Sequence, residues 1–341
     1  MSKNQAFTPI EKIGRNSLIE KITSDVNKHS DQLIYGIGDD AAVLNQGEGK
    51  HLLVSTELYS EGVHFDLIYT PLQHLGFKLV SLAISDILAM NALPTAITVS
   101  LGLTNKISVE MTELFYSGVK SACQAYNVEL AGGDISASQH AMTIGITAVG
   151  TQGADKTVYR SGAKPGEAIC ITGDLGGAAS GLMILLREKK HFETSGGESM
   201  EPDLSPFEYV VRRQLVPEAR IDLIKSMEEH GIIPGAMIDL SQGLNRNLLD
   251  ITGASGCGAI IYEAALPVSP ETRAAADELE EDIDKFVLFG GEEPELLFTL
   301  PEDDIKKFAD LFKDFVVIGK MIDKKDGVSM QTAEGHRMTL H

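Results

Sequence analysis

The chain has 341 residues, 43% of them hydrophobic and 23% charged, enough for one large or two ordinary globular domains with a sizeable core. Forty-nine acidic residues against 29 basic ones leave a formal charge of -20, which repels a phosphate backbone and an anionic membrane surface and so excludes nucleic acid as a partner. Divalent cations between protein carboxylates and an anionic small molecule remain compatible with that charge.

In chain order, the pattern predicts a helix over 8–28, then short strands in LIYGIG and HLLVSTEL divided by the turn-rich NQGEGK. A helix over 73–91, a strand in AITVSLGL, a helix over 108–126 and strands in VELAGGD and AMTIGITAVGT complete a mixed first half. The turn cluster SGAKPGEA follows, and a second alternating set opens with the strand AICITG. Helices are predicted at 176–190, 217–230, 241–253 and 302–312, with strands in GAMIDL, CGAIIYE, ELLFTL and FVVIGK. The boundary between halves falls near residues 150–160, giving expected domains of 1–153 and 154–341. The run 193–206 is polar, rich in Gly, Ser and Pro, and reads as an excursion, either a lid over a site or a surface insertion.

Cys123, Cys170 and Cys257 stand alone, with no CxxC spacing, which suits reduced core thiols. No apolar signal core opens the chain, and no window approaches the roughly 18 to 20 apolar residues that span a bilayer. The expectation is a soluble cytoplasmic protein with no membrane partner.

Carboxylates carry the chemistry. In GIGDDAAVL, Asp39 and Asp40 follow two glycines that let the backbone turn and approach a ligand; a solvated turn gives the same pattern. On the helix over 73–91, Leu75, Leu79, Leu82, Asp86 and Met90 follow steps of four, three, four and four, which puts Asp86 on the apolar stripe. A carboxylate there is costly unless paired with a basic group or a metal. Ser55, Thr56 and Glu57 end one strand in oxygen donors, and Gly132, Gly133 and Asp134 end another; hard cations such as magnesium take such ligands. CITGDLGGAASGL has the form of a strand, a glycine-rich turn and a helix start, either a phosphate cradle or a close-packed turn. FGGEEPELLF sets Gly290 and Gly291 before Glu292 and Glu293. No strong repeat is present, yet each half places an acidic motif after a short apolar run, GIGDD and AMIDLS.

Taken in order, GIGDDAAVL, STELYSEGVHF, AISDILAMNALP, AGGDIS, YRSGAKPGEAICITGDLGGAASGL, IDLSQGL and GGEEPELLFTL resemble the thiamine-monophosphate kinase family, from about residue 30 to 300. GDD and GGD are shared with a wider superfamily that includes aminoimidazole ribonucleotide synthase, whereas EGVHF and RSGAKPG choose the thiamine branch. The resemblance implies an α+β fold of two domains, an N-terminal mixed sheet-plus-helix domain that dimerises through its sheet and binds ATP, and a C-terminal α+β domain. It implies a kinase that transfers the γ-phosphoryl group of ATP to thiamine monophosphate, giving thiamine diphosphate, with magnesium as cofactor. By the same resemblance Asp40, Ser55, Thr56, Glu57, Asp86, Asp134 and Asp239 correspond to the magnesium-binding set, Gly133, Asp134, Arg160 and Ser241 to nucleotide contacts, and His64 and Glu292 to substrate contacts.

The chain departs from the family pattern at three positions. Glu57 stands where the family has aspartate, Gln242 where it has a second aspartate after Asp239, and Pro294 within a motif that usually carries an acidic residue and an aromatic. The end, AEGHRMTLH, lacks an aromatic to stack on thiamine. Two competing readings follow: another ATP-dependent reaction of the superfamily, such as purine ring closure, and a non-catalytic nucleotide- or thiamine-binding protein.

Overall fold

Alternating burial builds the first sheet. The structure, a computed structural model, describes residues 8–26, 30–195 and 202–341. After α1 (Gly14–Thr23) come β1 (Leu33–Tyr35), β2 (Ala42–Gly47), β3 (Lys50–Ser60), α2 (Leu72–Ala89), β4 (Leu93–Leu103), α3 (Val109–Tyr126), β5 (Glu129–Ala137) and β6 (Thr143–Gly153). The strands pair in the order β1-β2-β3-β6-β4-β5, all antiparallel except β4 with β5, which α3 joins by a crossover. Along β3, His51, Leu53, Ser55 and Tyr59 are buried while Thr56 and Leu58 are exposed, the period-two pattern of a sheet with one covered face.

The second half runs β7 (Ala168–Thr172), α4 (Gly177–Thr194), α5 (Glu208–Leu215), α6 (Ile221–His230), β8 (Met237–Leu240), α7 (Leu244–Ser255), β9 (Gly258–Tyr262), α8 (Pro270–Glu278), α9 (Ile283–Phe289), β10 (Glu293–Leu300), α10 (Glu302–Leu311), β11 (Phe315–Ile322), β12 (Val328–Gln331) and β13 (Arg337–Thr339). Its seven strands pair in the order β13-β12-β9-β11-β7-β10-β8. β8 is therefore an edge.

That edge lies against α2, which packs on β3, β6 and α3 from one side and on β8 and β10 from the other. One core consequently spans both halves, joining Leu79, Ile84 and Leu88 of α2 to Met237 and Phe298. Being covered all round, α2 is apolar all round rather than along a stripe. By length and composition it is also a helix that could cross a membrane, contrary to the expectation that no window comes close; 78% of that window is buried inside the protein.

The first helix is shorter than expected, because a 3-10 turn occupies Ile10–Lys12 and α1 ends at Thr23. The turn predicted at 45–50 contracts to a tight hairpin, with β2 reaching Gly47 and β3 starting at Lys50. α5, α8, α9, β12 and β13 were not anticipated, although Ser269 capping Thr272, followed by Pro270, is an ordinary helix start for α8. Of the predicted excursion at 193–206, residues 196–201 lie outside the described residues.

Candidate active site

Three elements from both halves meet at one point. Asp40 follows β1 through a turn in which Gly38 has φ of 120°, a conformation that side chains disfavour. Asp86 comes from the last turns of α2, and Asp239 from the edge strand β8. Carboxylate oxygens of the three lie within 4.8 Å of one another. All are withdrawn from solvent: the Asp40 side chain is 1% exposed, Asp86 8% and Asp239 2%.

Burial raises the carboxyl groups of Asp40 and Asp39 to about 7; for Asp40 the Arg160 guanidinium works against that rise, and for Asp39 the neighbouring Asp40 charge adds to it. Asp86 is pushed well above the ordinary carboxylate range by burial and then by Asp239, and Asp239 is raised chiefly by burial. Three like charges cannot share a dry site unless a cation joins them. Arg160 supplies part of that charge: its Nη2 donates to Asp40 Oδ1 at 2.6 Å, its Nε to Oδ2 at 3.2 Å, and its backbone N–H to Asp39. An all-oxygen set of this kind suits magnesium.

The strand-end triplet splits. Ser55 and Glu57 share the inner face of β3, where Ser55 Oγ donates to the Ala83 carbonyl of α2 at 3.4 Å, and burial raises the Glu57 carboxyl while Arg15 opposes the rise. Thr56 points its side chain to the open face and pairs with Thr147 at 3.2 Å. Asp134 is placed further away still. It pairs with Ser100, Ser100 with Gly145, and Gly145 with Leu58, so it sits on the open face three strand spacings from β3, about 14 Å at the usual spacing. Gly133 beside it lies so close to β4 that a Cβ would stand 1.9 Å from the Val99 carbonyl oxygen.

Ser241 Oγ donates to Asp239 Oδ1 at 2.8 Å. Gln242 lines a cavity of about 1060 Å³ together with Gly38, Asp39, Asp40, Ser55 and Arg160. The loop carrying Glu292 packs on the same segment, its N–H donating to the Ser241 carbonyl at 3.0 Å. Glu292 holds φ of 61°, a left-handed conformation unusual for a glutamate. His64 Nδ1 accepts the Ser60 N–H at 3.0 Å, and its ring meets Tyr59 edge to face. Pro294 is buried at the start of β10, where the register with β8 shifts and no N–H is needed.

Lys78 was missed. It is 2% exposed in α2, and its Nζ donates to Glu292 Oε2 at 2.6 Å. Its signal was present in the sequence, since it lies eight residues before Asp86 on the same side of the helix. The glycine-rich turn before α4 is not an open cradle: the Ala178 N–H donates to the chain's own buried Glu293 at 3.2 Å. Arg213 and Arg220 converge on buried Glu295 at 2.8 and 2.9 Å, tying α5 and α6 to β10.

Comparison with known proteins places this architecture. Residues 38–152 match the family described as AIR synthase related protein, N-terminal domain, and residues 164–331 its C-terminal domain. The chain is similar to the thiamine-monophosphate kinase of Aquifex aeolicus (strain VF5), 35% identical over 276 residues, covering 81% of this chain and 84% of that protein. It is also similar to the thiamine-monophosphate kinase of Escherichia coli (strain K12), 33% identical over 289 residues, covering 85% and 83%. Among solved structures, AaThiL complexed with AMPPCP and TMP superposes with a TM-score of 0.81 at 31% identity, covering 97% of this chain and 98% of that one. The HypE-HypF complex, at 19% identity and a TM-score of 0.72, shares the fold alone.

Proposed function

Because this chain belongs to the thiamine-monophosphate kinase family of AIR synthase related proteins, we propose that it transfers the γ-phosphoryl group of ATP to the phosphate of thiamine monophosphate, giving thiamine diphosphate and ADP, with magnesium held by Asp40, Asp86 and Asp239. The observation that carries the metal assignment is the convergence of three buried carboxylates within 4.8 Å. Direct phosphoryl transfer asks the protein for alignment and charge neutralisation rather than covalent chemistry. Magnesium, when bound, supplies that neutralisation.

The chain's own residues do the rest. The cavity of about 1060 Å³ beside Asp40 and Arg160 is the nucleotide's place, with Arg160 set to meet phosphate oxygens. Glu292, held by Lys78 and by Gln214 at 3.2 Å, and His64 form the acceptor's end. Ser55 and Glu57 share the face of Asp86 and support the metal from β3.

Thr56 lines the nucleotide's cavity in its own chain, whereas Asp134 and Gly133 fit this reading in a homodimer. Asp134 stands on the wrong face of its own sheet and three strands away from β3, so a second copy packed on the open face is the arrangement that brings it to a site. We assign the reaction to the cytoplasm, in keeping with three free cysteines.

Chromatographic product analysis after mixing purified protein with ATP, magnesium and thiamine monophosphate tests the proposal. Thiamine diphosphate should form. Run beside it, Gln242→Asp should match or exceed the wild type; product from the variant alone would make this chain a kinase scaffold disabled at one position, and none from either would overturn the reading.

A further inference from the structure

Tyr59 is 5% exposed, and its Oη finds no hydrogen-bond partner among the described residues. A buried hydroxyl left unpaired is unfavourable unless a ligand completes it. Its position is informative. β3 carries it on the inner face, one strand step beyond Glu57 and two beyond Ser55, with its ring edge-on to His64 at 5.8 Å between centroids. Glu57, Asp86, Asp239 and Glu292 all lie within electrostatic reach of it. A phenol hydroxyl is a hydrogen-bond donor.

Those neighbours mark two ends of one site. Asp86 and Asp239 belong to the metal cluster, whereas Glu292 and His64 belong to the acceptor's end. Tyr59 has neighbours at both ends. A neutral donor suits that position, because it can meet a phosphate oxygen without adding a charge to the site.

We propose that the Tyr59 hydroxyl donates to the phosphate of the acceptor substrate and so selects the phosphorylated acceptor over the free alcohol. This rests on the kinase reading above. Tyr59→Phe keeps the ring against His64 and removes one atom, so the fold should survive, and a thermal melt checks that. Calorimetry on the full chain with magnesium and AMPPCP, titrating thiamine monophosphate and, separately, thiamine, reads the effect. Thiamine monophosphate should bind Tyr59→Phe roughly tenfold more weakly than wild type, with thiamine unchanged and KM for ATP unaltered. Equal affinity of variant and wild type for thiamine monophosphate would overturn the proposal alone. Equal weakening of both ligands would make Tyr59 a packing residue and overturn it too. Wild type that binds no thiamine monophosphate would overturn the kinase reading, and this proposal with it.

Discussion

Arg160 and Asp40 form a forked pair, 2.6 Å at one prong and 3.2 Å at the other, so one carboxylate of the cluster has its charge balanced by the protein's own cation. Removing that cation leaves an unpaired buried carboxylate. Arg160→Met should cost the metal-free protein on the order of 3 kcal/mol and weaken ATP binding. Magnesium should then raise the melting temperature of Arg160→Met by more than it raises that of the wild type. Equal shifts in the two proteins would show that the pair and the metal do not share Asp40.

Asp86 lies at the centre of the like charges. Asp86→Asn relieves repulsion while removing a ligand, so the metal-free variant should melt a few degrees above wild type, gain nothing from magnesium, and lose catalysis by at least about a hundredfold. A variant that still responds to magnesium in the melt would take Asp86 out of the metal site.

Lys78 holds Glu292 from inside the core. Lys78→Met fills the same volume without the charge, so the fold should hold. Steady-state kinetics should give a KM for thiamine monophosphate raised roughly tenfold by loss of one charge-assisted contact, with KM for ATP near wild type. A rise confined to ATP would refute the assignment.

Glu293 gives a pH signature. Burial is the main cause that raises its carboxyl from 4.5 to about 7, against the opposing pull of Arg213. Between those values the folded state binds more protons than the unfolded one, so this group's contribution to stability falls as pH rises. Glu293→Gln keeps the acceptor for the Ala178 N–H, and at pH 8 it should melt a few degrees above wild type. Melts at pH 5 should coincide. A gap that widens toward acid would reverse the sign and reject the argument.

The proposed homodimer, with Asp134 and Asp239 of one site on different chains, predicts complementation. Asp134→Asn and Asp239→Asn should each be inactive alone. Unfolded together and refolded, they should recover about a quarter of wild-type activity, because half the dimers are mixed and one site in each is intact. No recovery would argue that each chain works by itself.

Cost made part of the site legible. Asp86 on an apolar helix demanded a partner, a basic group or a metal, whereas Asp39 and Asp40 side by side suited a cation site and a solvated turn alike. Strand alternation could have separated Thr56 from Ser55 and Glu57, yet the run of oxygen donors read as one group. Arg213, Arg220 and Glu295 left no local trace, since the arginines lie 82 and 75 residues from the glutamate they hold. The turn before α4 matched a phosphate cradle because a peptide N–H offers the same donor to a phosphate or to Glu293. The fold divided in the same way: the alternating β3 and the long apolar α2 were readable, while short α5, α8 and α9 were placed by their neighbours.

The helix that carries Asp86 also carries Lys78. Eight residues of α-helix separate them, about 12 Å, and a fully packed helix neither stretches nor bends to suit a ligand. On the proposed assignment of the carboxylate cluster to the metal and of Glu292 to the acceptor, both are fixed to one rod, which then gauges molecular length: an acceptor too short leaves its reacting oxygen out of reach, and one too long finds the far end already closed.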